Sequence, residues 1–143
     1  ISLTEYVFPE IEISMFLEKD FTKEDVESKL KFLLGNKEDE TGHRGFFHSE
    51  NFTFGDSIFI SKLYDIIESV HGVKYAIIKK FKISTSPYIL TENGKDELTI
   101  RNLKRGSILV NERNVVRLDN DPINPDHGTL VLNFVESRSK LNV

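Results

Sequence analysis

A chain of 143 residues, 38% hydrophobic and 29% charged, has the composition of one folded domain and excludes wholesale disorder. Its net charge of −4 argues against general nucleic-acid binding, which needs a basic face. Without cysteine there is no disulfide, thiolate zinc site or Cys nucleophile, and no apolar run reaches the length of a membrane span.

The opening Ile1-Ser2-Leu3-Thr4 does not start with Met, so we expect a single domain over 1–143 that is excised or processed from a longer protein. Residues 1–9 and 136–143 are expected to be poorly ordered ends. From Glu10 to Glu18, Ile11, Ile13, Met15 and Leu17 alternate with polar residues, Phe16 being the exception, which predicts a half-buried strand. A helix is predicted over Thr22–Leu34. Thr22 is the N-cap, Asp25 its capping-box partner, and Phe21 and Val26 form a staple. Val26, Leu30, Leu33 and Leu34 make the apolar stripe, and Gly35 ends it. The polar stretch from Asn36 to Arg44 reads as a loop. Phe46, Phe47, Phe52 and Phe54 then crowd a connector, which requires pinning to the core, the favoured reading, or to a partner. In Asn51-Phe52-Thr53-Phe54-Gly55-Asp56-Ser57, the two flanking phenylalanines point to one side, Gly55 breaks the extended run, and Asp56 or Ser57 can cap a helix.

That second helix is predicted over Ser57–Val70, with Phe59, Leu63, Ile66, Ile67 and Val70 on one stripe and Ile60 and Tyr64 widening it. His71-Gly72 stops it, and Val73 to Phe81 reads as a strand. Lys79, Lys80 and Lys82 are expected on a solvated strand edge, where lysines discourage aggregation. Ser84 to Arg105 reads as an exposed excursion with a turn at Asn93-Gly94. Ser107–Val110 and Asn114–Leu118 are expected as two short strands, in a hairpin if they pair. Asp119 to Gly128 is a loop rich in Asp, Asn and Pro, and Thr129–Val135 is the last strand. Helices early and strands late predict an α+β fold, with two helices packed on one face of a mixed or mainly antiparallel sheet.

No segment carries a catalytic signature. His43 and His48 lie among acidic residues but lack the spacing of a zinc pair. Asp119, Asn120, Asp121, Asn124 and Asp126 supply oxygens of the kind calcium takes, but the spacing is not that of an EF-hand. Such side chains more often bond to backbone N–H groups and fix turns. There is no GxSxG, P-loop or GxGxxG. We expect no enzyme, no cofactor and no metal.

Phe46 to Gly55, with the helix and small turn after it, resembles a segment of the baseplate J-like proteins of contractile phage tails and related injection machines. His71 stands where that family commonly has Pro. Arg117-Leu118-Asp119-Asn120-Asp121-Pro122 and Pro125-Asp126-His127-Gly128 resemble its closing motif, in which Asn is usual at the place of His127. The likeness covers roughly Glu10 to Phe134 and is weak over Ser84 to Arg105. It implies the C-terminal part of a longer baseplate protein, a structural, non-catalytic component that works through contacts with other baseplate subunits, not with nucleic acid or membrane. It also implies assembly in the bacterial cytoplasm followed by residence in a tail or injection particle, and an isolated domain that is monomeric. Phe52, Phe54, Gly55, Arg117, Asp119, Asn120, Asp121 and Pro122 are the candidate structural motif or interface. An adhesion or ligand-binding module for sugar or calcium is the alternative, and a small metal-dependent hydrolase a further one.

Overall fold

A computed structural model describes residues 5–84 and 96–137. The fold is α+β. Its central sheet has three strands in the order β4-β2-β7, with β2 at Pro9–Leu17, β4 at Val73–Ile83 and β7 at Thr129–Val135. β2 runs antiparallel to β4 and parallel to β7, so the sheet is mixed. β2 is the hub, paired on both sides, and Ile11, Ile13, Met15 and Leu17 are all buried on one of its faces.

Helices α1 (Lys23–Leu34) and α2 (Ile60–Glu68) cover that face. Val26, Leu30 and Leu34 from α1 and Leu63 and Ile67 from α2 share one core cluster with the four β2 residues. Residues three and four apart share a helix face, so most of each stripe read from the sequence is buried; Leu33 and Ile66 are only half-buried, and Phe59, expected on the second stripe, is exposed and lies before the helix. Asp25 Oδ2 accepts the Thr22 N–H at 2.7 Å, tying the start of α1. Gly35 closes α1 with extended backbone, not a left-handed turn, and its Cα lies where a Cβ would meet Lys31 O at 2.5 Å.

The second helix begins later than expected. Ile58–Phe59 form a short strand, β3, and α2 starts at Ile60. Asp56 and Ser57 do not cap it: Asp56 Oδ2 accepts the Thr53 N–H, and Ser57 Oγ accepts the Val110 N–H. β3 pairs antiparallel with β5 (Ser107–Ile108). The expected hairpin between Ser107–Val110 and Asn114–Leu118 therefore does not form. Instead β6 (Asn114–Val116) pairs parallel with β1 (Glu5–Val7). The N-terminal segment expected to be loose supplies β1 and a buried Pro9. At the other end, Glu136 Oε2 accepts the Lys23 N–H, while 138–143 lie outside the described residues.

β4 carries two register shifts. Glu12 faces Lys80 but Ile13 faces Ile78, which leaves Lys79 extra; Phe16 faces Tyr75 but Leu17 faces Val73, which leaves Lys74 extra. Both extra residues are exposed lysines on an edge strand. The shifts keep Ile78 and Phe81 in the core and turn Tyr75 and Ile77 to the outer face.

Part of the presumed excursion, 96–105, holds a third helix, α3 (Glu97–Arg105); residues 85–95, with the turn at Asn93-Gly94, lie outside the described residues. α3 lies along the edge of β4. Thr99 Oγ1 accepts the Phe81 N–H at 3.1 Å, and Asn102 Nδ2 donates to the Phe81 carbonyl at 2.9 Å. Lys82 is buried rather than solvated, with Nζ 2.9 Å from Asp96 Oδ2. Among the described residues no helix is long and apolar enough to cross a membrane.

Candidate functional site

The two sequence strings, about 60 residues apart, meet in space. The link is Gly55. It turns the chain at φ +79°, a conformation that disfavours any side chain, and its N–H donates to the Asn114 carbonyl at 2.9 Å. A Cβ at this position would lie 3.1 Å from Glu112 Cα, so the close approach to the β6 segment also demands glycine. One string is thereby laid against the strand that leads into the other.

Between them lies a cleft of about 530 Å³. Phe52 and Phe54 line one side, Arg117 and Asp119 the other, and Tyr6 and Asn36 reach it from β1 and the end of α1. Of the eight candidate residues, then, the structure brings these four to one surface. Gly55 supports it from behind, and Asn120, Asp121 and Pro122 do not line it.

The four phenylalanines divide. Phe47 is buried, and Phe52 stacks on it at 5.9 Å while meeting Phe46 edge-on at 5.7 Å. Phe54 is 54% exposed, so pinning to the core does not hold for it. The hairpin-like turn before them is ordered by Asp39, whose Oδ1 accepts from Thr41 Oγ1, Thr41 N and His43 N. The Thr41 hydroxyl, followed by the His43 N–H, holds its carboxyl below the usual range.

Arg117 is fixed on three sides. Its N–H donates to the Val7 carbonyl, its Nε to Asp119 Oδ1 at 2.9 Å, and its guanidinium carbon stands 5.1 Å over the Tyr6 ring. The Asp119 hydrogen bond raises its pKa further. Asp119 Oδ2 lies 3.4 Å from His127 Nδ1, and His127 stacks on Phe8 at 5.0 Å. Asp119 or Asp121 was the carboxylate expected to accept a backbone N–H. Asp121 does so, with Ile123 N–H on Oδ1 at 3.0 Å. The Asp119 carboxylate is spent on Arg117 and His127 instead. Asn120, in the left-handed region at φ +50°, takes the other backbone bond, from Leu130 N–H at 2.9 Å.

Tyr6 and Asn36 were not singled out in the sequence. Asn36 Nδ2 donates to the carbonyls of Leu118 and Asp119, at 2.8 and 3.1 Å, and so ties the end of α1 to the loop. No local pattern marks either residue, because their roles come from β1–β6 pairing and from a contact 82 positions away. Among the described residues no group of three or more His, Asp and Glu is placed to hold a metal ion. His48 Nδ1 accepts the Glu50 N–H, while His43 Nδ1 lies 2.6 Å from Thr41 Oγ1, so the two histidines do not converge. No protein-family profile, characterised protein or solved structure matches the chain.

Proposed function

We propose that this chain is a structural component of a contractile-tail or injection-system baseplate, acting through protein–protein contacts and not through catalysis. The observation that carries this reading is the cleft itself. The two strings that resemble baseplate J-like proteins close on one surface, through Gly55 and Asn114, and line it with Phe and Arg side chains, to which β1 adds Tyr6. Those residue types dominate the energetic centres of protein interfaces. Asn36 and the Arg117–Asp119 pair are already bonded within the cleft, which holds a surface in shape, and no hydroxyl lining it has a side-chain base bonded to it among the described residues.

The test is physical association. Particles from the producing cell are banded on a density gradient and probed with antibody to this chain. The chain should co-sediment with sheath and tube proteins in contractile particles. Recovery only in the soluble fraction, from cells that contain intact particles, refutes the reading. A second reading, a sugar-binding module, draws on the cleft volume, which lies in the range of small-ligand sites. A saccharide that shifts the amide resonances of Thr53 and Arg117 would favour it.

A further inference from the structure

We infer that the cleft takes an extended segment of a partner protein that presents a carboxylate to Arg117 beside an apolar side chain on Phe54. This deepens the protein-contact reading above and rests on it for the identity of the occupant as a protein.

The argument starts from the guanidinium. It has two hydrogen-bonding edges, one at Nε and one between its terminal amino groups. Asp119 meets it through Nε, and among the described residues no other carboxylate lies within ion-pair reach. The Tyr6 hydroxyl also accepts from the guanidinium, and the terminal N–H groups it does not take are the donors that can meet a ligand carboxylate. The side chain is 46% exposed, so these donors are accessible, yet the guanidinium is not free to wander. Asp119 holds one edge, the Tyr6 ring supports the plane, and the backbone at Arg117 is tied to β1. A donor fixed in advance loses little freedom when it binds.

The second half of the recognition is apolar. Phe54 is 54% exposed and Tyr6 46%, on a cleft that also holds Arg117. An exposed aromatic side chain over a fixed turn offers an anchor whose burial a partner would complete. A carboxylate and an apolar group on one face are what alternate side chains of an extended peptide supply.

Phenylpropionate joins these two features in one small molecule and serves as the probe. Titrated into the full chain, it should shift the amide resonances of Thr53, Phe54, Arg117 and Leu118. The neutral phenylpropanamide should bind at least about tenfold more weakly, the weight of one charge-assisted pair. Arg117→Gln should erase that preference. Arg117→Lys, which keeps the charge and loses the fork, should reduce it and serves as well where the glutamine variant does not fold. Phe54→Ala should weaken both probes alike. Equal binding of acid and amide, shifts that map elsewhere, or no shift at tens of millimolar would each overturn the inference. Probe binding by a chain that is missing from particles would remove the baseplate reading and leave the carboxylate site. A chain found in particles that ignores the probe would do the reverse.

Discussion

Gly128 sits where the loop after β6 returns beside the start of β2. Its φ of +94° is outside the range of ordinary side chains, and a Cβ there would lie 3.1 Å from Leu118 Cα and 3.2 Å from the Pro9 carbonyl oxygen. Both obstacles are backbone, so neither can swing away. Gly128→Ala should cost about 2 kcal/mol or more, read as a lowered denaturation midpoint, since strained backbone alone accounts for ~1–3 kcal/mol. An unchanged midpoint would mean the loop takes another path. The carboxylates of the same loop are spread rather than gathered: Asp119 faces Arg117 and His127, while Asp121 folds back on Ile123 and Asn124. Asp121→Ala should lower the midpoint by about 1 kcal/mol, the worth of one such bond. The loss should be the same in millimolar calcium and in chelator. A calcium-induced rise in the wild type that the variant lacks would show that the loop is an ion site.

At the scale of elements, the least expected one is α3. It is a helix laid on a strand edge, and its clamp is a small buried network. Asp96 accepts from Thr99 N and Thr99 Oγ1 and pairs with Lys82. Burial pushes its carboxyl up, but the Lys82 and Thr99 hydrogen bonds outweigh it, so the pKa is lowered on folding. The stability this supplies is complete above the unfolded value of ~3.9 and is lost as pH falls through the lower folded value. Asp96→Asn, which keeps the cap but not the charge, should cost about 1.5–3 kcal/mol near neutrality. Denaturant midpoints of variant and wild type should draw together only below about pH 4. A gap that stays constant into that range would show that the ion pair adds nothing. The sequence carried the helix signals, Asp96 ahead of the segment and Gly106 in the left-handed region after it. They were hidden because the apolar face of α3 is thin: the residue it buries most is Thr99, which does a strand's hydrogen bonding. Where a stripe meets a large core, as at Val26, Leu30 and Leu34 or along β2, periodicity alone located the element. The same limit explains the missing hairpin. β5 and β6 pair with β3 and β1, and two- and three-residue strands hold no pattern that names a partner. In the cleft, Phe52, Phe54, Arg117 and Asp119 stood out as local strings, while Tyr6 and Asn36 came only with the tertiary structure.

For the molecule as a whole, the decisive feature is how its exposed apolar surface is arranged. The face of the central sheet opposite α1 and α2 is split. Toward one end Glu10 and Glu12 stand across from Lys82 and Lys80, and Asn133 Nδ2 donates to Glu12 at 3.0 Å. Toward the other end Phe16 stacks on Tyr75 at 4.6 Å, with Val135 beside it and Ile77 across from Ser14, while exposed Val131 stands beside Glu12 in the charged half. Elsewhere Phe54, Phe59, Leu109 and Ile123 are exposed at separate places in the chain, the first within the cleft. A stable interface between copies needs at least ~1,000 Å² of well-matched surface. Stacking two sheets back to back would bury the charged half along with the apolar half, and desolvating those charges costs several kcal/mol per ion when they are not repaired across the interface. A few half-exposed side chains, at ~25 cal/mol per Å² of apolar area, return too little to offset that. The isolated chain should therefore be a monomer, or associate only weakly, at micromolar concentration in light scattering. Raising the salt should not change this, because the charged half of the outer face sets Glu against Lys and gathers no single sign to be screened. A tight dimer or a ring would mean that the split face is matched by its own copy, and the charged ladder would then be the place to find the pairs that hold it.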